Sequence, residues 1–128
     1  ITFNVFDQSL LKISHLLQQE NKTIIVKEAL ANGRVFPNAD YRHYQSTYDL
    51  LESLSNKYDT SIDAVALRFC LDAINPLMVL SGASEKNHLA SNLLAINFHL
   101  TGEEIRQIKN LAINPISYWK ERKQLPWV

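Results

Sequence analysis

The chain has 128 residues, of which 46% are hydrophobic and 20% charged, so we expect one globular domain. Thirteen basic residues balance thirteen acidic ones, which leaves no overall positive field to attract nucleic acid. The single cysteine excludes an internal disulfide, the four histidines are scattered, and no long apolar run is present. We therefore expect no metal site, no membrane partner and a cytoplasmic location.

The first part of the chain alternates strand and helix patterns. Residues 1–6 have the pattern of a strand already in progress, and the absence of an initial Met suggests that the sequence begins inside a longer protein. Apolar spacing predicts a helix at 10–20, with Asp7 or Ser9 as its cap. The β-branched run at 23–26 predicts a strand buried on both faces, as in a parallel sheet.

Residues 27–46 follow this predicted strand and have no regular pattern. Long loops at the carboxyl ends of parallel strands often contact ligands, so we expect this loop to be functional. Arg34, Arg42 and His43 lie within it. The surface preference of charged residues predicts that these three side chains are exposed to solvent.

Helical patterns dominate most of the remaining chain. Apolar residues at 48–58 predict one helix, and a second is expected to start at Thr60 as N-cap, with Cys70 as a core residue rather than a nucleophile. Residues 101–104 predict a capping box for a later helix. The tail at 113–128 is aromatic and amphipathic, and could cover a site.

Residues 77–92 predict a strand, a small-residue turn and a helix. The apolar run at 77–80 is the strand, Gly82 lies in the turn, and Ser84 is predicted to cap the helix. The first N–H groups of a helix have no intrahelical partner, and the helix dipole is positive there, so a phosphate would bind well. The alternative is that Ser84 only caps its own helix.

The order of these elements predicts an α/β fold with three parallel strands and flanking helices. Such alternation builds either an open doubly wound sheet or part of a (β/α)₈ TIM barrel. Three strands are few for a complete open sheet, and a whole barrel takes roughly 250 residues. We therefore predict that 1–128 is a single partial domain, the C-terminal half of a barrel.

The chain resembles the C-terminal half of an aldo/keto reductase. The resemblance rests on Phe3 and Asn4, on Val-Lys-Glu-Ala-Leu-Ala-Asn-Gly at 26–33, on Ala-Val-Ala-Leu-Arg-Phe at 64–69, on Leu-Ser-Gly-Ala-Ser at 80–84 with Asn92, and on the ending from Tyr118-Trp119 to Trp127. It implies that the parent protein binds NADP(H), with NAD(H) possible, and transfers hydride to a small-molecule aldehyde or ketone.

The resemblance also implies which residues bind the cofactor. After the seventh barrel strand these are Lys27, Glu28, Ala29, Leu30, Ala31 and Gly33, mainly through backbone atoms, and after the eighth strand they are Gly82, Ala83, Ser84, His88 and Asn92. Many relatives have a lysine near Gly82 and an arginine or glutamine near His88, which this chain lacks. Lys86 is the available substitute.

The family's catalytic Asp, Tyr, Lys and His lie in the N-terminal half of the barrel, and the resemblance matches them to no residue here. We therefore expect the chain alone to be inactive. A second hypothesis is a non-enzymatic half-barrel that binds or oligomerises. A third is a small open-sheet domain such as a signalling receiver, although no acidic cluster at the strand ends supports it.

Half of a barrel would expose two sheet edges and apolar side chains. The candidates for this surface are Ile24, Val26, Val79 and Leu80. Such a surface favours association, so we expect a homo-oligomer or pairing with the N-terminal half.

Overall fold

The computed structural model describes residues 1–126, and three parallel segments form its sheet region. The two regular strands are β1, Ile25–Val26, and β2, Met78–Val79, with Ile25 opposite Met78 and Val26 opposite Val79. On the other side of β1, an isolated parallel bridge joins Thr2 to Lys27. The backbone N–H of Lys27 donates to the Ile1 carbonyl at 2.9 Å. The predicted order of three parallel segments is thus observed, with very short strands.

Helices make up most of the described chain. The α-helices are α1, Ser14–Gln19; α2, Gln45–Lys57; α3, Ile62–Ile74; α4, Lys86–Leu93; α5, Gly102–Lys109; and α6, Pro115–Lys123. Short 3-10 helices lie at Ser9–Lys12, Ala31–Gly33, Ala39–Tyr44 and Leu94–Asn97. In residues 1–126, no helix has the length and apolar character needed to cross a membrane.

The core is centred on α3, which contacts α2, α4, α5 and β2. The ring of Phe69 on α3 stacks on Phe3 with the ring centres 5.5 Å apart, and both residues are buried. Cys70 is also buried, and its Sγ donates to the Phe3 carbonyl at 3.5 Å. Burial raises the pKa of the Cys70 thiol, so it stays protonated. This agrees with its prediction as a core residue.

Of two predicted N-caps, one is confirmed and the other is wrong. The capping box is confirmed, because Thr101 Oγ1 accepts the Glu104 N–H at 3.2 Å and Glu104 Oε1 accepts the Thr101 N–H at 2.9 Å. Thr60 as a cap was wrong: Ser61 Oγ accepts the Ala64 N–H at 3.4 Å instead. Ser61 has the extended backbone of an N-cap residue, so the cap lies one residue further along the chain.

The predicted helix at 10–20 is divided into two pieces. A 3-10 helix occupies Ser9–Lys12, and α1 begins only at Ser14, with no side-chain cap. Asp7 Oδ1 accepts the backbone N–H of Ser9 at 3.1 Å, so it stabilises the turn before the first piece rather than capping a continuous helix.

The strands are covered on one face only by the described residues. Ile24 and Val26 are buried, whereas Ile25 is 42% exposed, so the prediction that this strand is buried on both faces was wrong. Leu77 and Leu80 are 62% and 49% exposed. Alternate side chains of a strand point to opposite faces, which explains the difference between Ile25 and its two neighbours; Met78, which is paired with Ile25, is 45% exposed. The open apolar surface therefore contains Ile25, Leu77, Met78 and Leu80. Of the residues predicted for it, Leu80 is exposed, Val79 is partly buried against the core, and Ile24 and Val26 are buried.

Candidate functional site

A cleft of about 680 Å³ opens between the loop after β1 and the turn after β2. This volume lies within the roughly 300–1,000 Å³ of small-molecule sites. We call residues 27–36 the loop wall, and residues 80–85 together with α4 the turn wall. The cleft is lined by Lys27, Glu28, Leu30, Asn32, Gly33, Phe36, Asp63, Leu80, Ser81, Gly82, Ala83, His88, Ser91 and Asn92.

The cleft brings together most of the residues that the sequence suggested for cofactor binding. The predicted residues that line it are Lys27, Glu28, Leu30, Gly33, Gly82, Ala83, His88 and Asn92. Ala29 and Ala31 are buried within the loop wall, and Ser84 is exposed on the turn wall; these three do not line the cleft. Two segments about fifty residues apart therefore meet at one cavity.

Sequence reasoning missed six lining residues. Asn32, Phe36, Leu80 and Ser81 lie in or beside the predicted segments, so proximity along the chain could have identified them. Ser91 is also beside a predicted residue, Asn92, whereas Asp63 lies on α3 and no sequence spacing connects it to the cleft.

The turn wall differs from its prediction at the start of α4. Glu85 is the N-cap and makes no side-chain capping bond, so Ser84 as the cap was wrong. The extended backbone at Glu85 places the helix start one residue beyond Ser84. Gly82 has φ +67°, and a Cβ there would have no heavy atom within 4 Å. Gly82 therefore supplies the left-handed turn and leaves open space at the cleft.

Polar bonds between helices order the floor of the cleft. Ser91 Oγ donates to Asp63 Oδ1 at 2.9 Å and lies 3.0 Å from Ser61 Oγ. With its amide nitrogen facing Asp63, Asn92 donates to Asp63 Oδ2 at 2.5 Å and to the His88 carbonyl at 3.2 Å. The buried Asp63 carboxylate thus has partners from α4, as burial of a charge requires.

The loop wall is fixed from behind by α6 through a buried arginine. Arg34 is only 2% exposed, so its prediction as a solvent-exposed charge was wrong. Its Nε donates to the Ala31 carbonyl at 3.0 Å, and its Nη1 donates to the Tyr118 carbonyl and Glu121, both at 3.3 Å. The guanidinium also lies 4.2 Å from the centre of the Tyr118 ring. These contacts offset part of the cost of burying the charge, while Nη2 has no hydrogen-bond partner among the described residues.

Glu121 on α6 receives further contacts from the loop. His43 Nε2 lies 2.9 Å from Glu121 Oε1, and the Tyr44 hydroxyl donates to Glu121 Oε2. Burial and then the Glu121 carboxylate raise the pKa of Tyr44, which therefore remains a neutral donor. His43 and Arg42 are exposed, as predicted.

Helix α6 also contacts the segment between the first bridge residue and the first 3-10 helix. Trp119 Nε1 donates to Asp7 Oδ2 at 3.1 Å, and Asn4 Nδ2 donates to the Tyr118 hydroxyl at 3.0 Å. The predicted aromatic tail at 113–128 is therefore largely an ordered helix that packs beside the cleft. Trp127, which belonged to that prediction, lies outside the described residues.

Two cations lie on the walls of the cleft. Lys27 is an exposed cation on the loop wall, and Lys86 begins α4, where the free N–H groups favour an anion. In the part of the chain described, no three His, Cys, Asp or Glu side chains are grouped to hold a metal ion.

Comparison with known proteins identifies the relatives of this chain. The sequence profile of the Aldo/keto reductase family matches residues 1–113. Aldo-keto reductase AKR2E4 of Bombyx mori is 32% identical over 80 residues, which cover 59% of this chain and 25% of that protein. The chain therefore spans about a quarter of this curated relative.

Solved structures with the same arrangement are also aldo-keto reductases. The apo form of AKR11C1 from Bacillus halodurans matches with a TM-score of 0.70 and 26% identity over 88% of this chain and 42% of that one. The glycerol dehydrogenase AKR11B4 from Gluconobacter oxydans matches with a TM-score of 0.71 over 89% and 43%, and at 22% identity it supports the fold alone. These neighbours are TIM barrels, so the predicted partial barrel is confirmed.

Proposed function

Because this chain belongs to the aldo/keto reductase family, we propose that it is the NADP(H)-binding half of an enzyme that reduces aldehydes or ketones to alcohols. The observation that carries the proposal is the meeting of the loop wall and the turn wall at one cleft of about 680 Å³. Family members use NAD(P)H, and the cofactor would supply the hydride.

The residues present fit a phosphate-bearing dinucleotide. Gly82 leaves backbone open at the cleft, since a Cβ there would contact nothing within 4 Å. Lys27 and Lys86 supply positive charge at opposite walls, and the α4 N-terminus supplies unpaired donors. The loop wall would bind mainly through its backbone, because the side chains of Ala29 and Ala31 are buried.

A fluorescence titration of the intact protein with NADPH and with NADH tests the proposal. We expect saturable binding that is tighter for NADPH, and a several-fold weakening in His88→Ala. His15→Ala is the matched control, because His15 is also exposed but lies on α1, away from the cleft. Absence of binding to either nucleotide, or equal weakening by both histidine variants, would contradict the proposed site.

The same proposal assigns no catalytic residue to these 128 residues. We expect the chain expressed alone to give no NADPH-dependent reduction of common aldehydes above background. Reduction at a rate comparable with an ordinary reductase, abolished by a substitution within the chain, would show that catalytic groups lie here.

The exposed apolar residues around β2 support a proposal about partners. Leu77, Met78 and Leu80 are 62%, 45% and 49% exposed. We expect this surface to be covered by the N-terminal half of a barrel or by a second copy, in a cytoplasmic protein where Cys70 stays reduced. Sedimentation velocity tests this: a stable monomer of the isolated chain at micromolar concentration, with no co-purifying fragment, would exclude it.

A further inference from the structure

One carboxylate on the loop wall has an unusual set of partners. Glu28 follows β1 and lines the cleft, and its side chain is only 11% exposed. Arg122 from α6 donates from Nε to both carboxylate oxygens, at 3.0 and 2.9 Å, and from Nη2 to Oε1 at 2.5 Å. The Tyr118 hydroxyl donates to Oε2 at 3.4 Å. Residues about ninety positions away thus determine where this negative charge lies.

The backbone of Glu28 is held as firmly as its side chain. Its φ is +56°, in the left-handed region that non-glycine residues rarely occupy. Its carbonyl accepts from Asn4 Nδ2 at 3.0 Å and from the Ala31 N–H at 2.9 Å. Three separate parts of the chain therefore fix both the direction of the carboxylate and the path of the loop wall.

The charge of Glu28 is not removed by protonation. Burial alone would raise the pKa of Glu28, but the hydrogen bonds and charge of Arg122, with the charge of Lys27, outweigh it and lower that pKa. Glu28 is therefore ionised at neutral pH, and its charge is balanced by a cation. A free carboxylate at this position would repel the phosphates of a dinucleotide in the cleft.

We propose that Arg122 is a positioning residue for the nucleotide: its guanidinium holds the Glu28 carboxylate against α6 and cancels its charge, so that an anionic dinucleotide can bind beside the loop wall. This inference rests on the proposed function. Glu28 then contributes its backbone to the site, while its side chain serves to anchor α6.

The test compares three variants of the intact protein: Arg122→Met, Glu28→Gln and the double variant. The dissociation constant for NADPH is measured by fluorescence at low and high salt. We expect Arg122→Met to weaken binding about tenfold at low salt and less at high salt, because salt screens part of the repulsion between the Glu28 carboxylate and the phosphates in the open cleft. Glu28→Gln removes the negative charge and leaves the Arg122 cation beside the ligand, so it should bind NADPH several-fold more tightly at low salt, and the double variant should return to within about twofold of the original protein.

A purely structural role predicts another pattern. If the ion pair only stabilised the fold, Glu28→Gln would weaken binding as much as Arg122→Met, and the double variant would not recover. That result would overturn the inference. Weakened binding in Glu28→Gln alone is sufficient to overturn it, so the test does not depend on whether Arg122→Met folds. Arg106→Met is the matched control, since it removes the exposed pair with Glu103 on α5 and should leave binding unchanged.

The remaining outcomes separate the inference from the proposed function. No NADPH binding by the unmodified protein would overturn both. Normal binding by the unmodified protein together with unchanged binding in Arg122→Met would overturn only the role of Arg122.

Discussion

The two walls of the cleft are held in place differently. The loop wall is tied to α6 by Arg34 and Glu28, whose side chains contact Tyr118, Glu121 and Arg122. The turn wall is more open: Ala83 N–H donates to Ser81 Oγ at 3.1 Å, and the N-cap of α4 makes no side-chain bond. The loop wall is thus shaped before a ligand arrives. In the turn wall, α4 is bonded to Asp63 through Ser91 and Asn92, but residues 80–85 have fewer contacts to fix them.

The largest loss of stability is expected from replacing Arg34, the buried cation of the loop wall. Arg34→Met leaves Glu121 without its buried cation and removes the bonds to the Ala31 and Tyr118 carbonyls. We expect the free energy of unfolding to fall by about 3 kcal/mol, measured by urea denaturation. The exposed Arg42 of the same loop gives the control, and Arg42→Met should change stability by less than about 0.5 kcal/mol.

A loss below about 1 kcal/mol in Arg34→Met would contradict the contrast between the walls, because it would lie within the range of ordinary substitutions. The loop wall would then be held by its backbone alone.

Glu104 lies outside both walls, and its charge is expected to make the free energy of unfolding depend on pH. Burial raises its pKa, but bonds from Tyr58, the Thr101 N–H and Lys57 outweigh burial and lower the pKa to about 2 from 4.5. Because the folded-state pKa is depressed, the stabilisation is present above about pH 4.5 and is lost as the pH falls towards 2. Because the Lys57 partner is exposed and solvent screens its charge, this stabilisation is about 2 kcal/mol at neutral pH.

Urea denaturation between pH 7 and pH 3 measures this dependence. Glu104→Gln should be less stable than the original protein at pH 7, and the difference should shrink as the pH falls. A difference that stays constant with pH would show that the Glu104 charge contributes nothing beyond its hydrogen bonds.

The sequence predicted the parts of this molecule that depend on near neighbours. The Thr101 and Glu104 capping box is complete within four residues, so its pattern was sufficient. The burial of Arg34 was not predictable, because its partners Tyr118 and Glu121 lie more than eighty residues away. The same distance hid the contact of Arg122 with Glu28. The resemblance located the two walls, but tertiary contacts determine what holds each of them.

Hydrogen exchange should show the contrast between the walls directly. The Ala31 and Gly33 amides donate to loop carbonyls, each at 2.9 Å. Within residues 1–126, the Gly82 and Ser84 amides have no backbone acceptor. We expect loop-wall amides to exchange about tenfold more slowly, a difference of about 1.4 kcal/mol in opening free energy. Equal rates, measured by mass spectrometry without ligand, would mean that both walls are equally ordered.

The smallest changes in stability are expected at two serines, Ser61 and Ser84, each of which lies near the start of a helix. Ser61→Ala should cost about 1 kcal/mol in urea denaturation, because Ser61 Oγ caps α3 by accepting the Ala64 N–H.

Ser84→Ala should cost less than about 0.5 kcal/mol, because Glu85, not Ser84, is the N-cap of α4 and Ser84 is exposed. Equal losses in Ser61→Ala and Ser84→Ala would show that Ser84 does stabilise α4. If Ser84→Ala keeps its stability but binds NADPH more weakly, then the hydroxyl contacts the ligand, and the turn wall gains its order from the ligand rather than from the fold.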